Sequence, residues 1–167
     1  MPSETIVSFT CPSYLIKFFE YNFGTKPILF PTKHRINRML ERHIEIPLSD
    51  YIPPTGENVM EIRLPFFVTK DVRSYNYISP LSQKILIHVL KSIFIEVFYS
   101  EIDSALIDKY PKKFAINFFI EKYRLPIDCY DQLKKDYQRY LNSINMKKRS
   151  KFMKDLNITG TWTNKLK

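Results

Sequence analysis

Gln132, Lys135, Gln138, Arg139 and Asn142 recur at three- and four-residue intervals in "CYDQLKKDYQRYLNS". On a helix that spacing gathers them on one side. These residue types are the ones that read duplex DNA. Arg takes guanine O6 and N7 in a bidentate pair, Gln and Asn take adenine N6 and N7, and Lys neutralises phosphate. Immediately downstream, "MKKRSKFMK" supplies Lys147, Lys148, Arg149 and Lys151, which are phosphate ligands by charge. Two other basic stretches could assist. Arg35 and Arg38 lie in "KHRINRMLERH", and Lys70 and Arg73 are interleaved with Tyr75 and Tyr77 in "KDVRSYNY". Basic residues mixed with aromatics can hold phosphates and stack bases. Each stretch also has a plainer reading. The first is the charged face of an amphipathic helix, balanced by Glu41 and Glu45, and the tyrosines of the second are loop anchors.

Residues for covalent or metal chemistry are sparse. His34, His43 and His88 show no ligand spacing and no accompanying cysteine pair, so no metal site is expected. There is no phosphate-binding glycine loop, dinucleotide fingerprint or nucleophile elbow. Asp50 with Glu61 and Arg63 outlines a metal-nuclease pattern, but an arginine stands where such sites use lysine. Asp50 lies in a proline-rich loop, and strand alternation, which places Glu61 and Arg63 on the solvent face, is the preferred reading. The expectation is a non-enzyme without a cofactor.

The elements that must position these groups are marked by proline and by periodicity. Residues 1–12 read as an N-terminal arm. A helix starts at Ser13, with Leu15, Phe18 and Phe19 on its apolar stripe, and Gly24 stops it. "KPILF" at 26–30 and "VMEIRL" at 59–64 read as strands that pair into a ribbon. Between them a helix over 32–44 is capped by Thr32. Ser79-Pro80 opens a long helix to about 107 with a break near Tyr99–Ser100, apolar all round and so expected in the centre of the core. Helices over 112–123 and 129–144 flank the turn "RLPI", and Tyr130, Leu133, Tyr137, Leu141 and Ile144 form the inward stripe of the second. The pair resembles a helix-turn-helix, although that turn carries no glycine. The prediction is a mostly α, α+β fold of five helices with a two-stranded ribbon, winged-helix-like in its strand–helix–strand order. Residues 13–145 make one domain, and 146–167 a flexible basic tail.

Charge sharpens the picture. Residues 1–111 hold 12 Lys/Arg and 12 Asp/Glu, whereas 112–167 hold 14 and 5, so the net charge of +9 arises entirely in the last third. Such asymmetry points to a polyanionic partner. Cys11 and Cys129 are far apart and read as reduced thiols of a cytoplasmic protein. His88, Lys91 and Glu96 interrupt the most apolar run, so no membrane span is expected.

The segments "ILFPTKHRINRML", "EIRLPFFVTKDVRSYNYIS" and "FIEKYRLPIDCYDQLKKDYQRY" resemble small uncharacterised proteins of Bacteroidetes mobile elements and prophages, over residues 13–149. That resemblance carries no activity. It implies a phage or integrated-element setting, in which small basic helical proteins handle DNA. The expected function is non-catalytic duplex DNA binding, as a transcription regulator or accessory factor acting in the host cytoplasm. The alternative is a structural or assembly protein, working as a homo-oligomer or with a phage or host protein. RNA binding through Arg73, Tyr75 and Tyr77 is third.

Overall fold

The computed structural model describes residues 4–155. Its elements run β1 (Ile6–Thr10), α1 (Ser13–Phe23), α2 (Arg35–His43), β2 (Ile44–Glu45), β3 (Val59–Arg63), β4 (Tyr77–Ile78), α3 (Pro80–Ile107), α4 (Lys112–Lys122) and α5 (Cys129–Asp155). This is the expected α+β, mostly helical class with five helices. Residues up to Cys129 form one compact unit, and α5 from Tyr130 onward forms a second.

The sheet differs from the expected ribbon. β3 pairs antiparallel with β1, with Val7 opposite Ile62 and Phe9 opposite Met60. Residues 6–10 are therefore part of the fold and not an arm. They alternate as strand residues should, with Val7 and Phe9 buried and Thr10 exposed. The 26–30 segment touches β3 only through Ile28, which donates to Glu61 O at 2.8 Å and accepts from Arg63 N at 2.9 Å. Pro27 and Pro31 supply no N–H on either side, so the pairing cannot extend. Two helices and β2 lie between the paired strands in sequence, so the strand–helix–strand order of the winged comparison is absent. A second short pair joins β2 to β4, with Ile44 opposite Ile78.

α2 starts later than expected. Its cap is His34, whose Nδ1 accepts from Ile36 N–H at 3.3 Å, and not Thr32. α3 runs unbroken through Tyr99–Ser100. It is also not enveloped by the core. Leu86, Leu90, Phe94, Phe98 and Ile102 are buried at four-residue spacing, while Leu81 on the other side is exposed. Phe94 and Phe98 meet Phe119 of α4, and Phe18 of α1 meets Phe94 edge to face at 5.1 Å. This aromatic cluster is the main core of the first unit.

Both α3 and α4 end in the same hydrogen-bond motif. Tyr110 N donates to Ala105 O and Lys109 N to Leu106 O. Fifteen residues on, Leu125 N donates to Ile120 O and Arg124 N to Glu121 O. The left-handed residue this ending requires is usually glycine. Here it is Lys109 (φ 65°) and Arg124 (φ 52°). The missing glycine of the "RLPI" turn is thus replaced by an arginine bent into a glycine conformation.

Candidate nucleic-acid interface

α5 is 27 residues long, about 40 Å at 1.5 Å per residue. Leu133 and Tyr137 are buried, and Tyr130, Leu141 and Ile144 are half-buried, so the apolar stripe is as read from the sequence. Gln132, Lys135, Gln138, Arg139 and Asn142 are all exposed. They are partly engaged with their own helix. Gln132 donates to Asp136 at 2.9 Å, Arg139 donates to the same carboxylate at 3.1 Å, and Gln138 donates to Asn142 at 3.2 Å. Asp136 in their midst, with Asp131 one turn earlier, offsets most of the charge of Lys134, Lys135 and Arg139.

Past Ile144 the helix changes character. Residues 145–155 carry neither glycine nor proline, and Met, Lys and Arg are good helix formers, so α5 continues to Asp155 where a flexible tail was expected. Lys147, Lys148 and Lys151 are exposed, and none of the acidic side chains described, which end at Asp136, pairs with them. The side chains of Arg149, Ser150 and residues 152–155, and all of residues 156–167, Trp162 included, lie outside what is described.

Helical register separates the two groups. At about 100° per residue, Lys147, Lys148 and Lys151 continue the side of α5 that carries Leu133, Tyr137 and Ile144, and the Gln132–Asn142 set lies roughly 160° away. One straight helix cannot lay both sets on the same stretch of duplex. The structure therefore brings together an amide-rich exposed face in the first half of α5 and a cationic one in the second, pointing differently.

Three of the four accessory cations serve the fold. Arg35 makes a two-pronged contact with Glu96 of α3, at 3.1 and 3.3 Å. Lys70 donates to the carbonyls of Arg42 and Ile44, at 3.2 and 2.7 Å, where the end of α2 leaves carbonyls unpaired. Arg73 pairs with Asp71 at 3.0 Å, and Tyr75 lies under the Lys70 ammonium. Arg38 is exposed. No basic-aromatic cradle forms at 70–77, because its cations already have partners.

Two side-chain groups among the described residues bear on catalysis. A hydroxyl chain runs from Glu45 through Ser79 to Ser82, which meets His43 Nδ1 at 3.3 Å. The carboxylate holds a serine and not the imidazole, so the order is wrong for a nucleophilic triad. The chain instead ties the end of α2 to the start of α3. Arg63 is bound to Glu4 at 2.9 Å, so the nuclease pattern loses its cation to an ion pair. Among the described residues no group of three or more His, Cys, Asp or Glu could hold a metal ion, and no helix is long and apolar enough to cross a membrane.

One surface was missed from the sequence. Phe114 and Phe118 of α4 are exposed; the buried residues are Ala115, Ile116, Phe119 and Ile120. The signal was present, since an 11-residue helix carrying apolar groups on two sides cannot bury both against one neighbour. No protein-family model, no curated protein and no solved structure matches the chain.

Proposed function

We propose that the protein binds duplex DNA without catalysis, holding the phosphate backbone through the C-terminal half of α5, as an accessory or regulatory factor of a phage or mobile element. The observation that carries this reading is the exposed Lys147, Lys148 and Lys151 on one side of a helix, with no partner among the acidic side chains described, which end at Asp136. The confinement of the +9 net charge to residues 112–167 supports it. Phosphate neutralisation supplies affinity without sequence information. The amide-rich face of Gln132, Lys135, Gln138, Arg139 and Asn142 points elsewhere, so base reading contributes little to this binding.

Fluorescence anisotropy with a labelled duplex tests the reading. Replacing Lys147, Lys148 and Lys151 with alanine should abolish most of the binding at low salt. Replacing Gln138 and Asn142 should leave it nearly unchanged and should not alter preference between duplex sequences. Equal loss in both variants would return the amide face to the interface. A structural or assembly role is the second reading, favoured by the exposed aromatics of α4.

A further inference from the structure

Tyr110, Phe114 and Phe118 stand in one row at four-residue spacing, each about half exposed at 52%, 52% and 56%. Their rings lie nearly parallel, with centroids 5.4 Å apart for Tyr110–Phe114 and 6.2 Å for Phe114–Phe118. Ile107 adjoins the row and is 79% exposed. Beside them lies a groove of about 460 Å³, lined by Ile102 and Ala105 and by the charged Glu101, Asp108 and Lys122. That volume falls within the range of clefts that accept side chains or small molecules, about 300–1,000 Å³.

We propose that this face of α4 is the contact between two copies of the chain, packed antiparallel about a two-fold axis near Phe114. The row is its own complement under that operation. Phe114 meets Phe114 of the second copy, and Tyr110 of each meets Phe118 of the other. A two-fold contact requires this reciprocity. Charge does not oppose the contact: Glu121 lies seven residues beyond Phe114 on the same face, and the axis brings it beside Ile107–Lys109 of the second copy, where exposed Lys109 offsets exposed Asp108.

Area agrees as well. Three half-exposed aromatics and Ile107 offer roughly 400 Å² per copy, or about 800 Å² for the pair. Lys109, Asn117 and Glu121 at the rim take the total past the ~1,000 Å² that a specific contact needs. A nucleic-acid strand fits less well. The rings already stack on one another, so the faces between them are not open to a base. Asp108 at the groove repels phosphate, while Glu101 is paired with Lys122 at 2.8 Å. The contact lies on α4 and does not depend on how α5 binds DNA.

Sedimentation equilibrium of the full chain, at about 10–200 µM, tests the proposal. The expected result is twice the chain mass for the wild type and the single chain mass for Phe114→Glu, with unchanged helical circular dichroism. In a Cys129→Ser background, Phe114→Cys should cross-link to itself under mild oxidation. Tyr110→Cys should cross-link to Phe118→Cys in a mixture and not to itself. A wild type that stays monomeric to about 200 µM overturns the proposal, as does a dimer that survives Phe114→Glu. A monomer that binds a single-stranded oligonucleotide, and loses that binding in Phe114→Glu, overturns it in favour of base stacking.

Discussion

Arg124→Gly should make the protein more stable, although it removes a side chain and adds none. Arg124 sits at φ 52°, immediately after α4, in the left-handed conformation. An L-residue there costs about 1–2 kcal/mol from the close approach of Cβ to the carbonyl. Glycine removes that cost but brings about 0.5–1 kcal/mol of extra unfolded-state entropy. The difference is a net gain of about 0.5–1 kcal/mol. The side chain adds little to offset it, because Arg124 is exposed and its guanidinium has no hydrogen bond or ion pair among the described residues. The backbone bonds Arg124 N to Glu121 O and Leu125 N to Ile120 O are independent of side-chain identity. Lys109→Gly, at φ 65° after α3, should behave alike, and the double variant should gain about 1–2 kcal/mol by near-additivity. Urea unfolding followed by circular dichroism measures this directly, with Arg124→Ala as control. Alanine keeps the Cβ and so should give no gain. A glycine variant no more stable than the alanine variant would refute the reasoning, because the left-handed strain would then not be present.

Two further outcomes follow from titratable groups. Burial first, and then the charge of Arg35, hold His34 below the ordinary imidazole value of 6.5, and its Nδ1 must stay unprotonated to cap α2. The folded state thus favours neutral His34, so this stabilisation is complete above about pH 6.5 and is lost as pH falls through the depressed value. His34→Asn keeps an acceptor at the cap and should flatten the decline in melting temperature between about pH 7 and 5. For the thiols, burial pushes Cys11 up to about 12, against the lesser opposing charges of Lys91 and Lys26. Cys129, raised by burial and then by Asp128, is only partly covered. Ellman's reagent at mildly alkaline pH should therefore modify Cys129 first, and Cys11 only as the protein unfolds.

The parts of the fold legible in the sequence were those whose cause is local. Pro80 and Pro111 fix where α3 and α4 begin, and the Leu133–Tyr137 spacing fixes the inward side of α5. What was hidden depends on partners distant in the chain. "IVSFT" carries a strand pattern of its own, but only β3, some fifty residues later, makes it β1. "KPILF" has strand composition, yet its flanking prolines restrict it to one bridge. The apolar circumference of α3 suggested full envelopment, whereas its neighbours cover only the Leu86–Ile102 stripe. In the candidate interface, residue types were readable but commitments were not. Arg35, Lys70 and Arg73 look like phosphate ligands until Glu96, the α2 carbonyls and Asp71 are seen to hold them. The continuation of α5 to Asp155 was also hidden, because the apolar stripe stops at Ile144 and propensity alone carries the helix onward.

The salt dependence of duplex affinity tests the central claim most directly. Three lysine–phosphate contacts predict a slope of log K against log [salt] of about −2.7, or about −3.6 if Arg149 adds a fourth. Alanine at Lys147, Lys148 and Lys151 should flatten the slope by about 2.7 and weaken binding to all duplex sequences alike. A wild-type slope near zero, or an unchanged slope in the triple variant, would contradict phosphate binding by the second half of α5.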